Sequence, residues 1–164
     1  MQEQLGKPQL KLIQEVETRW NSTFNMLQRL FEQREPVGAA LGSLTTDISP
    51  RSSEDYGIIS KCLVVLGPFN DATTELSQEK RVSGSKVIPL LTMLDHCLSE
   101  EMEKTPSIGS SLAEKLRMLL REKLDRLQTM SIMCLATLLD PRFRKIGFLS
   151  PTRASEAETR LKAE

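Results

Sequence analysis

SLAEKLRMLLREKLDRL, residues 111–127, spaces Leu112, Leu116, Leu119, Leu120, Leu124 and Leu127 at steps of four, three, one, four and three. That is the periodicity of a long amphipathic helix. The same period continues on both sides. Downstream, Ile132 to Leu139 is almost wholly apolar and predicts a short buried helix, which Asp140–Pro141 ends because the residue before a proline avoids the helical region. Ser150–Pro151 then starts a last, very polar helix with only Ala154, Ala157 and Leu161 as apolar positions. Upstream, Ser85 is the expected cap of a helix that buries Val87, Ile88, Leu91, Leu94, Leu98 and Met102, with Pro89 in its first turn, where proline is tolerated.

Further back, Ser53, Glu54 and Asp55 read as a helix start, since acids favour the positive end of the helix dipole. Tyr56, Ile59, Leu63, Leu66, Phe69 and Leu76 carry that helix to about Gln78, with a kink expected at Gly67–Pro68. Residues 45–53 and 79–84 read as a loop and a turn. Trp20, Phe24, Leu27, Leu30 and Phe31 form one helical face from Thr18 to about Arg34, and Pro36 opens a second helix holding Val37, Ala40, Leu41 and Leu44. Residues 9–17 alternate instead: Leu10, Leu12 and Val16 share a parity, which predicts an extended segment. The resulting fold class is all-α, an irregular multi-helix bundle with a short extended N-terminal segment.

Composition narrows the function classes. The 164 residues are 39% hydrophobic and 27% charged, the balance of a globular domain. Lysine and arginine number 22, aspartate and glutamate 22, so the net charge is zero. A free-standing DNA-binding module usually carries a basic excess, because phosphate contacts dominate its affinity; contact with nucleic acid here must be local. Cys62, Cys97 and Cys134 are isolated and odd in number, which suits a reducing compartment. The longest apolar run is too short to span a bilayer, so no membrane partner is expected.

Chemistry-bearing motifs are few. His96–Cys97 are neighbours about 100° apart on a helix and poorly placed to share an ion, and no ligand set for a structural zinc is present. There is no nucleophile elbow and no second histidine for a triad. Asp55, Asp71, Asp95, Asp125 and Asp140 fall on helices or their ends, and all but Asp140 read as solvated faces or caps. No catalytic residue, metal or cofactor is therefore expected, and the chain by itself is read as no enzyme. Two segments stand out. Thr18–Arg19–Trp20–Asn21–Ser22–Thr23 places the only Trp beside an Arg at a helix start, where the indole could stack on a base and the guanidinium bind phosphate; Trp20 as plain core anchor of its helix is the competing reading. Leu138–Lys145 places Arg142, Arg144 and Lys145 directly after a helix end, as phosphate ligands or as partners of Asp140 and the helix dipole.

Three blocks in order, ETRWNSTFNMLQRLFEQ (17–33), LGPFNDATTELSQEKRVSGSKVIPLL (66–91) and ATLLDPRFRKIGFL (136–149), resemble the hAT transposase superfamily, and more closely the zinc finger BED domain-containing proteins derived from it. The resemblance implies a BED finger, an RNase H-like core interrupted by a helical insertion, and a C-terminal dimerisation segment. The blocks match the insertion. It divides the chain into residues 1–17 (linker or edge of the core), 18–149 (helical insertion) and 150–164 (a polar helix leading onward). Arg19 and Trp20 match a pair that, in active relatives, touches flanking DNA, so Arg19, Trp20, Arg142, Arg144 and Lys145 are the candidate nucleic-acid contacts. The family's catalytic carboxylates fall on none of these residues. The implied function is a nuclear module that positions DNA beside the core, with DNA as partner and self-association through the C-terminal segment. The alternative is a structural or protein-interaction scaffold with no DNA role.

Overall fold

The computed structural model describes residues 2–45, 47–78, 84–104 and 106–163, and for Trp20 the backbone alone. Seven α-helices make up the fold, with no strand among the described residues. The all-α class is as expected. The chain divides into two compact units, Met1–Gly67 and Pro68–Glu164.

In the first unit, α1 (Trp20–Glu32) and α2 (Arg34–Ser43) pack together across the single residue Gln33. Phe24 of α1 is buried, and so is Gln33 at the corner. The segment before α1 pairs with no neighbouring strand; residues 7–16 are irregular. Side chains tie it down instead. Arg29 donates to the Lys11 carbonyl at 2.8 Å, and Gln2 donates to the Leu10 carbonyl at 2.7 Å and to Gln33 at 2.8 Å. Its alternating apolar residues do not make a buried face: Leu12 and Val16 are 56% and 45% exposed. α3 (Ser53–Leu76) begins with a reciprocal cap, in which the Ser52 amide donates to Asp55 and the Asp55 amide donates to the Ser52 hydroxyl. It continues through Pro68 without ending there, although that residue has no N–H for the Val64 carbonyl.

The second unit is built around α4 (Gly84–Glu103), which packs on α5 (Ile108–Leu127), α6 (Ser131–Leu139) and the 3-10 turn Arg144–Gly147; α7 (Pro151–Ala163) closes over α6 and that turn. The expected cap Ser85 lies inside α4, buried. α5 has a true capping box, with Ser107 and Ser110 bonding each other's backbone amides. The core comprises Ile88, Leu124, Cys134, Phe148, Ala154 and Ala157. Cys134 donates its thiol to the Gln128 carbonyl at 3.1 Å, and burial pushes its pKa up. Two expectations change. α6 is not wholly buried, since Ile132 and Leu139 stand 72% and 67% exposed, and Leu119 of α5 is 58% exposed, outside the buried stripe of Ala113, Leu120 and Leu124. A nine-residue helix can turn only part of its circumference inward, so an all-apolar sequence leaves some residues outside.

Asp95 is the larger correction. Expected on a solvated face, it is 1% exposed. Arg117 and Arg121, one helical turn apart on α5, each grip it with two bonds, at 3.0 and 3.2 Å and at 2.7 and 3.0 Å. Burial raises its pKa, and the two guanidiniums more than offset this, holding it at about 2.

Candidate nucleic-acid interface

α6 stops at Leu139 because Pro141 forces Asp140 into extended backbone, φ −75° and ψ 117°. The chain then folds on Asp140 itself. The amides of Phe143 and Arg144 both donate to its carbonyl at 3.1 Å. Its carboxylate accepts from the Arg142 amide at 3.0 Å and from the Arg142 guanidinium at 2.9 and 2.6 Å. The Arg142 guanidinium first, and then the Ser85 hydroxyl of α4, hold the Asp140 carboxyl well below the usual carboxylate range. Asp140 is thus the knot of the turn.

The three candidate cations that follow have different surroundings. Arg142 is committed to Asp140 and lies over the Phe143 ring, 5.1 Å from its centroid. Lys145 bonds Glu158 of α7 at 2.6 Å, which lowers the Glu158 pKa; Lys162 approaches the same carboxylate at 3.6 Å. Arg144 is exposed and has no ion pair among the described residues. Its φ is +45°, the only positive value at a residue other than glycine among those described. A side chain pays a steric cost in that region. The turn is fixed from below. Gly147 accepts from the Thr92 hydroxyl at 3.1 Å, and a Cβ there would lie 2.8 Å from Thr137 Cγ2 and 2.9 Å from Pro89 Cγ. Phe148 is in the core. Between these anchors Ile146 is 86% exposed. It borders a cleft of about 430 Å³ whose apolar walls are Leu138 and Leu161 and whose rim holds Arg144, Lys145 and Glu158.

Arg19 and Trp20 lie in the first unit. Arg19 is extended, φ −124° and ψ 98°, and exposed; Trp20 heads α1, and its side chain lies outside what is described. The corner is held by Ser22, a buried residue the motif reading passed over. Its hydroxyl accepts from the Val16 amide at 2.9 Å and lies 2.8 and 2.6 Å from the carbonyls of Val16 and Arg19, to one of which it donates. Beside it, Asn21 Oδ1 is buried with no hydrogen-bond partner among the described residues. The polar clips at Ser22, Asp95 and Asp140 share one sequence signal, a small polar residue next to an apolar stripe, which by itself names no partner. Among the described residues no three of His, Cys, Asp and Glu gather as a metal site, and no helix is long and apolar enough to cross a membrane.

Residues 1–63 match the family described as the ZBED1 RNase-like helical domain. Across its whole length the chain is 29% identical to human zinc finger BED domain-containing protein 4, and over 62% of its length it is 32% identical to a putative transcriptional regulator, tpeD, of Talaromyces stipitatus. It spans 13% and 12% of those relatives. No solved structure matches it. By these matches the all-helical chain is similar to hAT/BED-like proteins.

Proposed function

We propose that this chain is a non-catalytic helical module of a transposase-derived nuclear protein, positioning DNA beside an RNase H-like core. The observation that supports the reading is Arg144: an exposed cation without an ion pair among the described residues, held in a strained backbone on a turn anchored by Asp140, Gly147 and Phe148. Such a turn presents, from an anchored backbone, an uncommitted guanidinium to a phosphate. Arg19 and Trp20 are the second contact, acting where the DNA presents an unpaired base to the indole. With Arg142 and Lys145 already paired, few counterions are released, so binding of duplex DNA by this chain is weak and its salt dependence shallow.

The test is fluorescence anisotropy of a labelled duplex between about 50 and 200 mM salt. Arg144→Gln should weaken binding several-fold and flatten the salt slope by about one unit, whereas Arg142→Gln should act mainly on stability. In a full-length active relative, replacing the matching Trp should impair strand processing more than binding. The second reading, a protein-interaction scaffold, is favoured by Ile146, whose 86% exposure beside an apolar cleft suits a protein contact better than a phosphate. Unchanged duplex binding in Arg144→Gln would leave the scaffold as the better account.

A further inference from the structure

α5 has two faces. Gly109, Ala113, Leu120 and Leu124 are buried within the second unit. About 150° around the helix from these, a second stripe faces solvent: Ile108 is 50%, Met118 70% and Leu119 58% exposed. Lys115 and Glu122, both exposed, lie on that second stripe. Lys115 precedes Met118 by three residues, and Glu122 follows Leu119 by three.

We propose that α5 pairs with α5 of a second copy of this chain, antiparallel, about a two-fold axis passing between Met118 and Leu119. The charge order selects that occupant and that direction. A two-fold contact is isologous, so any residue placed before the axis meets the residue equally far after it on the other copy. Lys115 then faces the partner's Glu122, and Glu122 faces the partner's Lys115, with Met118 and Leu119 of both copies as the apolar centre. Parallel pairing would set Lys115 against Lys115 and Glu122 against Glu122, which like-charge repulsion opposes. Lys115 has no ion pair among the described residues, and Glu122 holds only Arg126, an exposed pair one turn along the same helix at 2.9 Å. Such a pair exchanges readily for one across an interface. One helix crossing buries less than a standard interface, so the association is weak and concentration-dependent. It is independent of the DNA reading, which uses other residues.

Sedimentation velocity over a concentration series tests it on the intact chain. The expected behaviour is a monomer–dimer equilibrium that Leu119→Asp abolishes. Lys115→Glu and Glu122→Lys should each weaken it about tenfold or more, because each sets like charges together at both ends. Mixing those two variants should restore association as a heterodimer, since every contact again joins opposite charges. The double swap Lys115→Glu with Glu122→Lys should restore it within one chain. Circular dichroism confirms that these surface variants fold. A chain that stays monomeric at every concentration, or two single variants that fail to associate when mixed, overturns the proposal.

Discussion

Before α1, in the first unit, backbone is held by polar side chains: Ser22 on Val16, Arg29 on Lys11, Gln2 on Leu10. After α6, in the second unit, a segment of similar irregularity is held by burial, with Gly147 and Phe148 sunk among α4, α6 and α7. The two use opposite physics for one task. A polar clip is worth about 1 kcal/mol each and is cheap to open locally. A buried glycine and phenylalanine open only with the core around them. The two candidate DNA contacts therefore sit on ground of different stiffness: Arg19–Trp20 on a corner held by hydroxyl and amide groups, and Arg144 on a turn welded to a core.

If burial holds the second unit and polar clips hold the first, the second unit depends on its interior more steeply than the first. Asp95→Asn should have the largest effect. It leaves the partly buried Arg117 and the exposed Arg121 without their shared, buried carboxylate, at a cost of about 3 kcal/mol, read as a lowered midpoint in urea denaturation. Acid does the same more gradually. The Asp95 pKa is depressed to about 2 in the folded state, so its contribution is fully present above the ordinary carboxylate range and is lost as pH falls from about 4 toward 2. A stability curve of Asp95→Asn that falls as steeply as the parent's across that window would remove Asp95 as the cause.

Gly147→Ala comes next. Its new methyl must displace Thr137 and Pro89, costing about 2 kcal/mol, and calorimetry should show a clear drop in melting temperature. Ser22→Ala should cost about 1 kcal/mol, and hydrogen exchange should place the loss near residues 16–22 with little change in α5. A uniform loss across both units would erase the distinction between clip and core. The smallest effect has the opposite sign. Gln128 is 3% exposed with both amide atoms unpartnered among the described residues, so Gln128→Met, similar in shape and without polar atoms, should leave stability level or raise it by up to about 1 kcal/mol.

What the sequence determined by itself was the helical order and its punctuation. The 3.6-residue period of apolar residues, Pro36 in a first turn, Asp140–Pro141 at a helix end and Ser150–Pro151 at a start are local rules, and a local rule needs no partner. The three blocks also carried the hAT/BED likeness, because order and spacing survive in the chain itself. Packing of the helices in space set which face of each is inward and which charge meets which. Leu119 and Leu120 are neighbours in the same apolar run, yet only α4 settles that Leu120 is buried and Leu119 is not. Asp95 reads like any helical aspartate until two arginines from α5 reach it, 22 and 26 residues away along the chain. Arg142, Arg144 and Lys145 look alike as a basic run. Pairing with Asp140 and Glu158 takes two of them and leaves Arg144, because electrostatic partners are set by distance in space, on which a linear sequence places no constraint.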